Sequence, residues 1–369
     1  MKITQLDTPA LIVDLDILEQ NLSGMQKRIN QLGLALRPHT KAHKIPALAH
    51  MQIAAGAIGV CTSKLGEAEV MVEGGVNDVL ITTPIAGETK TKRLVDLCLN
   101  HPNTTIRQVI DHAYHVDIIG KYASQNGIEI GLLVEVESGQ ERCGVNADQA
   151  LIELINHIKT TEGVRYDGIQ AYSGHLQLIK GYEKRQRAAH DAVDSLFTFI
   201  ETALKPQGLA PKIISGAGTG TYQAHSAHAY TEVQAGSYLF MDSTYTAIGD
   251  ENNEDTNRQF SSALSVLSTV ISHPSSGRAV VDAGMKSLSI DLGMPKVREH
   301  SDTVTYKCGG DEHGILLIEQ GKSPYEIGQV ISLIPSHCDT TLHNFDVLNA
   351  VRDGEVIHQW RIQGRGRSD

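Results

Sequence analysis

From about residue 34 to 242 the chain alternates short apolar runs with longer amphipathic ones. The apolar runs predict strands at 34–40, 57–62, 78–83, 106–111, 129–136, 168–172, 212–215 and 231–239. Between them the period lengthens. Within 147–160, Leu151, Leu154, Ile155 and Ile158 form one helical stripe, and 64–73 and 178–204 also read as helical. Eight strand–helix units in sequence predict a (β/α)8 TIM barrel, an α/β fold, with a doubly wound open sheet as the alternative. A barrel carries its chemistry at the C-terminal ends of its strands. Lys41, Asp111, Tyr172 and the run Ser215–Tyr222 all fall there.

The texture changes near 246. Asp250-Glu251-Asn252-Asn253-Glu254-Asp255 reads as an acidic, turn-rich linker. After it come β-branched runs at 263–272, 278–282 and 329–334, separated by turns at Pro274–Gly277 and Arg352–Gly354, with no long helical pattern. These predict a C-terminal all-β domain. The strand-like run Ala10–Asp14 precedes the barrel and can complete that domain. The expected division is therefore a barrel of 15–245 and a β domain of 246–369 with 1–14.

Composition narrows the class without changing this picture. The 369 residues are 41% hydrophobic, with a net charge of −11, which argues against a nucleic-acid or anionic-membrane partner. Five scattered cysteines form no CxxC pair, so neither a zinc ribbon nor a disulfide framework is expected. The first residues lack the apolar run of a leader, and no apolar segment approaches the length of a membrane span. A reduced, cytoplasmic protein is the expectation.

Three segments carry chemistry. In Arg37-Pro38-His39-Thr40-Lys41-Ala42-His43-Lys44, a strand runs into a cluster of cations. Strand alternation would put Arg37, His39, Lys41 and His43 on one face. A lysine held among other cations and partly desolvated favours the neutral amine that imine formation requires. In His337-Cys338-Asp339, an extended backbone would turn His337 and Asp339 to one side and Cys338 to the other. An imidazole and a carboxylate suit a divalent cation such as Mn or Mg better than the thiolate-seeking Zn.

The third segment, Gly216-Ala217-Gly218-Thr219-Gly220-Thr221-Tyr222, follows the seventh strand, where barrels often hold a phosphate. A lysine at the first strand and a phosphate cradle at the seventh fit pyridoxal phosphate, the cradle being Gly218, Thr219, Gly220, Thr221 and Tyr222. Arg142, after the fifth strand, can contact the cofactor ring nitrogen or a substrate carboxylate, or simply pair with Glu137 or Glu141. Tyr172 can stack on or hydrogen-bond the cofactor, or be structural. His175, His225 and His228 carry no motif and read as ordinary histidines.

The ordered set resembles the D-threonine aldolase and D-serine dehydratase family, fold type III pyridoxal-phosphate enzymes akin to alanine racemase. It runs from Asp7-Thr8-Pro9-Ala10 through Arg37–Lys41, Gly218–Tyr222, Gln234–Tyr238, Val281–Gly284 and Glu312-His313-Gly314 to His337–Asp339. The resemblance implies that Lys41 forms the imine with the cofactor, that the C-terminal domain supplies the metal site at His337 and Asp339, and that the enzyme is a homodimer. His-Cys-Asp resembles the aldolases of the family, where the dehydratases resemble His-x-Cys. The expected reaction is cleavage of a D-3-hydroxy-amino acid to glycine and an aldehyde, with His43 as base and His39 as the second choice. A D-serine or 3-hydroxy-D-aspartate dehydratase is the alternative, followed by an amino-acid racemase and a non-catalytic pyridoxal-phosphate carrier.

Overall fold

The computed structural model describes residues 1–224, 230–319 and 323–369, so His225 and His228 lie outside the described residues. The chain opens with β1 (Ala10–Asp14) and the helix Leu15–Gln31. Each apolar run expected between 34 and 239 then contains or overlaps a strand: β2 (Ala35–Leu36), β3 (Val60–Thr62), β4 (Asp78–Ile81), β5 (Thr105–Ile110), β6 (Ile130–Glu135), β7 (Val164–Ala171), β8 (Ile213–Gly216) and β9 (Glu232–Val233). They are parallel, in the order β2-β9-β8-β7-β6-β5-β4-β3. A parallel bridge from His39 to Cys61 joins the two ends, helped by Ile58 N–H to Leu36 O and Cys61 N–H to Pro38 O, both 2.9 Å. The sheet is a closed barrel. The open-sheet alternative fails because its edges pair with each other.

Helices return the chain between strands. The expected helix at 147–160 forms as Gln149–Thr160, with Leu151, Leu154, Ile155 and Ile158 buried and the Asp148 carboxylate accepting Ala150 N–H at 2.9 Å. That cap satisfies one of the donors a helix start leaves unpaired. The helix Tyr182–Phe199 continues into a π-helical turn at Ile200–Leu204, filling the expected 178–204 segment. Outward residues of the strands and inward residues of these helices form one large apolar layer around the barrel, including Val79, Ile106, Leu132 and Ile169.

Inside the barrel, period-2 alternation sorts the strand residues into three levels. Towards the N-terminal ends lies an ionic floor. Arg37 Nε meets Glu232 Oε1 at 2.8 Å and Arg37 Nη1 meets Asp78 Oδ1 at 2.5 Å. Arg107 bridges Asp78 at 3.0 Å and Asp167 at 2.9 Å, and Arg165 holds the other Asp167 oxygen at 2.9 Å. Two residues on, Cys61, Leu80, Val109 and Leu133 form a dry apolar level, against which Ile213 packs. Two residues further, Thr82, Glu135, Gln170 and Ser215 form a buried polar level, joined by His39 and Gln234, which follow Arg37 and Glu232 of the floor directly at the next inward position. Arg37 thus belongs to the floor. Past His39 the chain enters a 3-10 turn at Thr40–Ala42, which ends the alternation expected to carry His43 onto the same face.

The β unit contains β10 (Leu264–Ser275), β11 (Arg278–Val281), β12 (Lys296–Val297), β13 (Val304–Cys308), β14 (Gly314–Ile318), β15 (Val330–Ile334), β16 (Val347–Arg352) and β17 (Glu355–Arg361). Its sheet runs β13-β14-β11-β10-β1-β16-β17, with β15 pairing both β10 and β12. β1 lies between β10 (antiparallel) and β16 (parallel), so the N-terminal strand is part of this sheet.

The two compact units are Met1–Gly24 with Ser237–Gly366, and Met25–Gly236 with Arg367–Asp369. The later division falls at Gly236/Ser237, ahead of the expected 245/246. Segment 237–246 is bonded into the β unit: Ala263 N–H reaches Phe240 O at 2.7 Å, Ser243 N–H reaches Pro335 O at 3.0 Å, and Asn21 Nδ2 donates to Leu239 O at 3.1 Å. The acidic run is not a loose linker either. Asp250 is buried and accepts the N–H groups of Asn252 and Asn253 at 2.9 and 3.0 Å, folding the run into a turn. Among the described residues no helix is long and apolar enough to cross a membrane.

Candidate active site

Lys41 sits in the 3-10 turn that ends the first barrel strand, beyond the polar level. His39 Nδ1 accepts the Lys41 backbone N–H at 3.4 Å. The ring proton is therefore on Nε2, which donates to Thr82 Oγ1 at 3.2 Å, and the Thr82 hydroxyl donates on to Thr62 O at 3.0 Å. Burial, then the charges of Lys41, Arg142 and Lys44 with the neighbouring His43 ring, hold His39 well below the ordinary histidine range, so it is a neutral imidazole. His43 is fully buried; its Nδ1 accepts Ile45 N–H at 3.0 Å and its Nε2 donates to Gln52 Oε1 at 3.2 Å. Lys44, at φ +57°, ion-pairs with Glu67 at 2.6 Å.

The two imidazoles expected to act as base thus have both ring nitrogens engaged. Their partners here lie in and around the turn that carries Lys41. Alternation suggested His43 because it could not foresee the turn.

Arg142 lies in the loop after β6. The Glu137 carboxylate gathers Gln140 N–H at 2.6 Å and Arg142 N–H at 3.3 Å, which curls the loop back on itself. Burial works against the charged form of Glu137, yet these backbone donors outweigh it and hold its carboxyl low. The side chain of Arg142 turns to neither Glu137 nor Glu141; its Nη2 lies 3.8 Å from Glu135 Oε1. Glu135 is buried at the end of β6, accepts Gln170 Nε2 at 2.8 Å, and has its carboxyl pushed up to about 7, chiefly by burial. Gln170 Nε2 also reaches Thr82 O at 2.9 Å, and Gln234 Nε2 links Gln170 Oε1 to Ser215 Oγ, both at 2.9 Å. The polar level is one hydrogen-bonded network running from beneath Lys41 to Arg142. Tyr172 is half-buried just past β7.

In the glycine-rich loop four backbone N–H groups are engaged within the protein. Gly218 N–H donates to Thr221 Oγ1 at 3.2 Å, Gly220 N–H to Gln177 Oε1 at 3.0 Å, and the N–H groups of Thr221 and Tyr222 to Gly218 O at 3.1 and 3.0 Å. A Cβ on Gly218 would come within 2.5 Å of Gln177 Oε1, and one on Gly220 within 2.2 Å of Gln177 O. The glycines admit Gln177. Neither Gln177 nor Glu135 stands in a recognisable motif.

In the β unit, His337 is extended and caps the short helix Cys338–Leu342, whose first turn holds Asp339. The i, i+2 pair therefore straddles a helix start and not a strand. Cys338 is fully buried, its thiol 3.4 Å from Met241 O and its N–H 3.1 Å from Asp242 Oδ2. His337 Nδ1 donates to Asp291 Oδ2 at 2.7 Å, which leaves Nε2 as the ring's lone-pair donor. A carboxylate behind an imidazole is the support that metal-binding histidines use. Ser289 Oγ, at 2.6 Å, and Thr340 Oγ1, at 3.2 Å, fix the Asp291 carboxylate in turn. Among the described residues no group of three or more His, Cys, Asp or Glu side chains forms a metal-ligand set. An imidazole lone pair and a carboxylate are donors of the kind taken by a divalent cation that keeps positions for other ligands. On the barrel, the cations around His39 fit an anionic, amine-reactive cofactor.

Known proteins share this layout. Residues 13–244 match the family described as alanine racemase, N-terminal domain, and residues 263–351 match the putative serine dehydratase domain. D-threonine aldolase of Arthrobacter sp is 37% identical over 99% of this chain and 94% of its own length. 3-Hydroxy-D-aspartate aldolase of Paracoccus denitrificans (strain Pd 1222) is 35% identical, over 99% and 93%. The crystal structure of D-threonine aldolase from Filomicrobium marinum matches with a TM-score of 0.94 at 36% identity, covering 100% of this chain and 98% of that one. Alike in sequence and fold from end to end, the chain belongs to the D-threonine aldolase and D-serine dehydratase family, with its alanine racemase-like architecture.

Proposed function

We propose that this protein is a carbon–carbon lyase that cleaves D-3-hydroxy-amino acids to glycine and an aldehyde, using pyridoxal phosphate and a divalent cation. The observation that carries the reading is the full-length likeness to two aldolases, 37% and 35% identical. Lys41 would carry pyridoxal phosphate, and the Gly218–Tyr222 loop would hold its phosphate through its hydroxyl donors, such as Thr221, whose oxygen accepts from Gly218 and Gln177 and whose proton can point to an anion. When bound to a substrate amine, that cofactor supplies an electron sink for the carbanion left by Cα–Cβ cleavage. His337 and Asp339 would hold the cation, Mn or Mg before Zn because a carboxylate stands beside the imidazole. There the cation would supply Lewis acidity to the substrate's β-hydroxyl.

The chain's own residues supply the positioning. His39 and His43 fix the turn that presents Lys41. Glu137 shapes the loop that carries Arg142, and Glu135 draws the guanidinium towards the barrel mouth, where it would meet the substrate carboxylate or the cofactor ring. Tyr172, at the end of the neighbouring strand, would line the same opening. All five cysteines are free thiols, which accords with a cytoplasmic enzyme, and a homodimer is the state that the resemblance implies.

A dehydratase is the second reading, favoured by the match of 263–351 to the putative serine dehydratase domain. Both reactions use the β-hydroxyl, and they differ in the bond that breaks. Product analysis on D-threonine, 3-hydroxy-D-aspartate and D-serine with added Mn²⁺ separates them. Glycine with an aldehyde supports the aldolase. A 2-keto acid with ammonia as the main product would establish the dehydratase.

A further inference from the structure

Two buried side chains that the proposed reaction does not use hold the glycine-rich loop: Arg185 Nε donates to Gly220 O at 2.7 Å, and Gln177 binds it at two further points. Gln177 follows a 3-10 turn at Gly174–Leu176, and its own N–H is bound to Gly174 O at 3.2 Å. Its amide is spent in three directions. Nε2 donates to Ser173 O at 3.2 Å and to Thr221 Oγ1 at 2.9 Å, while Oε1 accepts Gly220 N–H at 3.0 Å. These roles fix the amide's orientation, since a flipped group would set donor against donor at Gly220. Ser173 is tied in turn to the Arg142 loop, its hydroxyl 3.0 Å from Ser138 Oγ. Gln140 Oε1 accepts Gly174 N–H at 3.0 Å. Gln177 therefore couples two catalytic-end loops that are far apart in sequence.

We propose that Gln177 is a positioning residue that templates the Gly218–Tyr222 loop for the phosphate of the cofactor. The inference rests on the cofactor reading above. Its logic is preorganisation: a loop already held in its bound shape does not have to be ordered when the anion arrives. Three observations converge. Gln177 is almost wholly buried, so solvent does not compete for its amide. It binds the loop at both a backbone donor and a side-chain oxygen. Gly218 and Gly220 are the residues whose missing Cβ atoms make room for it. Losing the amide should loosen the loop without touching Lys41, so the effect should follow the phosphate and not the aldehyde.

The test compares pyridoxal phosphate with pyridoxal, which lacks the phosphate, by titrating each into cofactor-stripped protein and following visible absorbance. In the wild type the phosphate should give a large affinity advantage. Gln177→Leu should weaken pyridoxal phosphate roughly tenfold or more, the scale of losing buried hydrogen bonds, and leave pyridoxal within about twofold. Gln177→Glu should weaken it further, because it places negative charge beside the loop and sets an oxygen against Ser173 O. If Gln177→Leu fails to fold, Gln177→Asn, which keeps a buried amide but is too short to reach both Thr221 Oγ1 and Gly220 N–H, should give the same selective loss. Equal weakening of both ligands, or none of either, overturns the templating role. If the wild type binds no pyridoxal phosphate at all, the cofactor reading itself fails, a result distinct from the other two.

Discussion

Replacing Arg37 with methionine separates two accounts of the basic segment. In sequence Arg37 belongs to the cation cluster around Lys41, whereas in the structure it is the centre of the ionic floor. Its side chain is 3% exposed and that of Glu232 4%, with Nε and Oε1 2.8 Å apart. Asp78, the second partner, keeps Arg107 at 3.0 Å when Arg37 is lost, so its share of the damage is small. Arg37 is the ion-pair partner of Glu232 among the described residues. Arg37→Met therefore strands a buried carboxylate, which costs about 3–5 kcal/mol.

A stranded glutamate gains a raised folded-state pKa, because burial disfavours its charge. Its penalty is complete above that pKa and fades as pH falls through it, so the deficit of the variant should be larger at alkaline than at mildly acid pH. Adding Glu232→Leu should recover most of the loss, since an apolar pair of similar volume often replaces a buried ion pair at little cost. Urea denaturation of the holoenzyme, followed by far-UV circular dichroism across pH, reads both effects. Cofactor loading of the folded fraction should stay near wild type, because the Arg37 guanidinium is spent on Glu232 and Asp78 in the floor and not on the turn that carries Lys41. A variant within about 1 kcal/mol of wild type that had lost its cofactor would refute this reasoning and return Arg37 to the binding site.

Lys41→Ala should lose the visible absorbance of bound pyridoxal phosphate, checked by spectroscopy and by a borohydride-trapped adduct; retention of that adduct would move the attachment elsewhere. Asp291→Ala should weaken metal affinity about 10–100-fold by freeing the His337 ring, while Cys338→Ser should bind metal normally, both read by equilibrium dialysis. Glu135 carries a carboxyl raised by burial to about 7. The folded protein thus keeps a proton that the unfolded chain releases at lower pH, and stability falls as pH rises between those values, by about 3 kcal/mol when complete. Glu135→Gln should therefore match wild type at low pH and exceed it in stability at pH above about 7, measured by urea titration; a variant less stable there would contradict the assignment.

The pattern of apolar runs located all eight barrel strands, because a parallel sheet covered on both faces needs continuous apolar segments and those segments are local in the chain. The same locality exposed the helical stripe at Leu151–Ile158, the β-rich C-terminal region, Lys41 at the end of the first strand, and the pair His337 and Asp339. What the pattern left out depends on partners far away in sequence. Barrel closure at His39–Cys61, the Arg37–Glu232 pair and the Asp291 carboxylate behind His337 exist only once strand order and register bring those residues together. The hydrogen bonds of His39 and His43 were hidden for a nearer reason. A single 3-10 turn rotates everything beyond Thr40, and alternation read from sequence assumes that no such turn occurs. Gln177 and Glu135 stand in no motif, since any buried amide or carboxyl looks alike in sequence; their positions beside a glycine loop and an arginine are decided by packing. The sequence by itself determined which elements form and which residues carry reactive groups. Only the tertiary structure decided which of those groups remain available, because a side chain is free for chemistry only after its neighbours have taken the hydrogen bonds that burial obliges them to make.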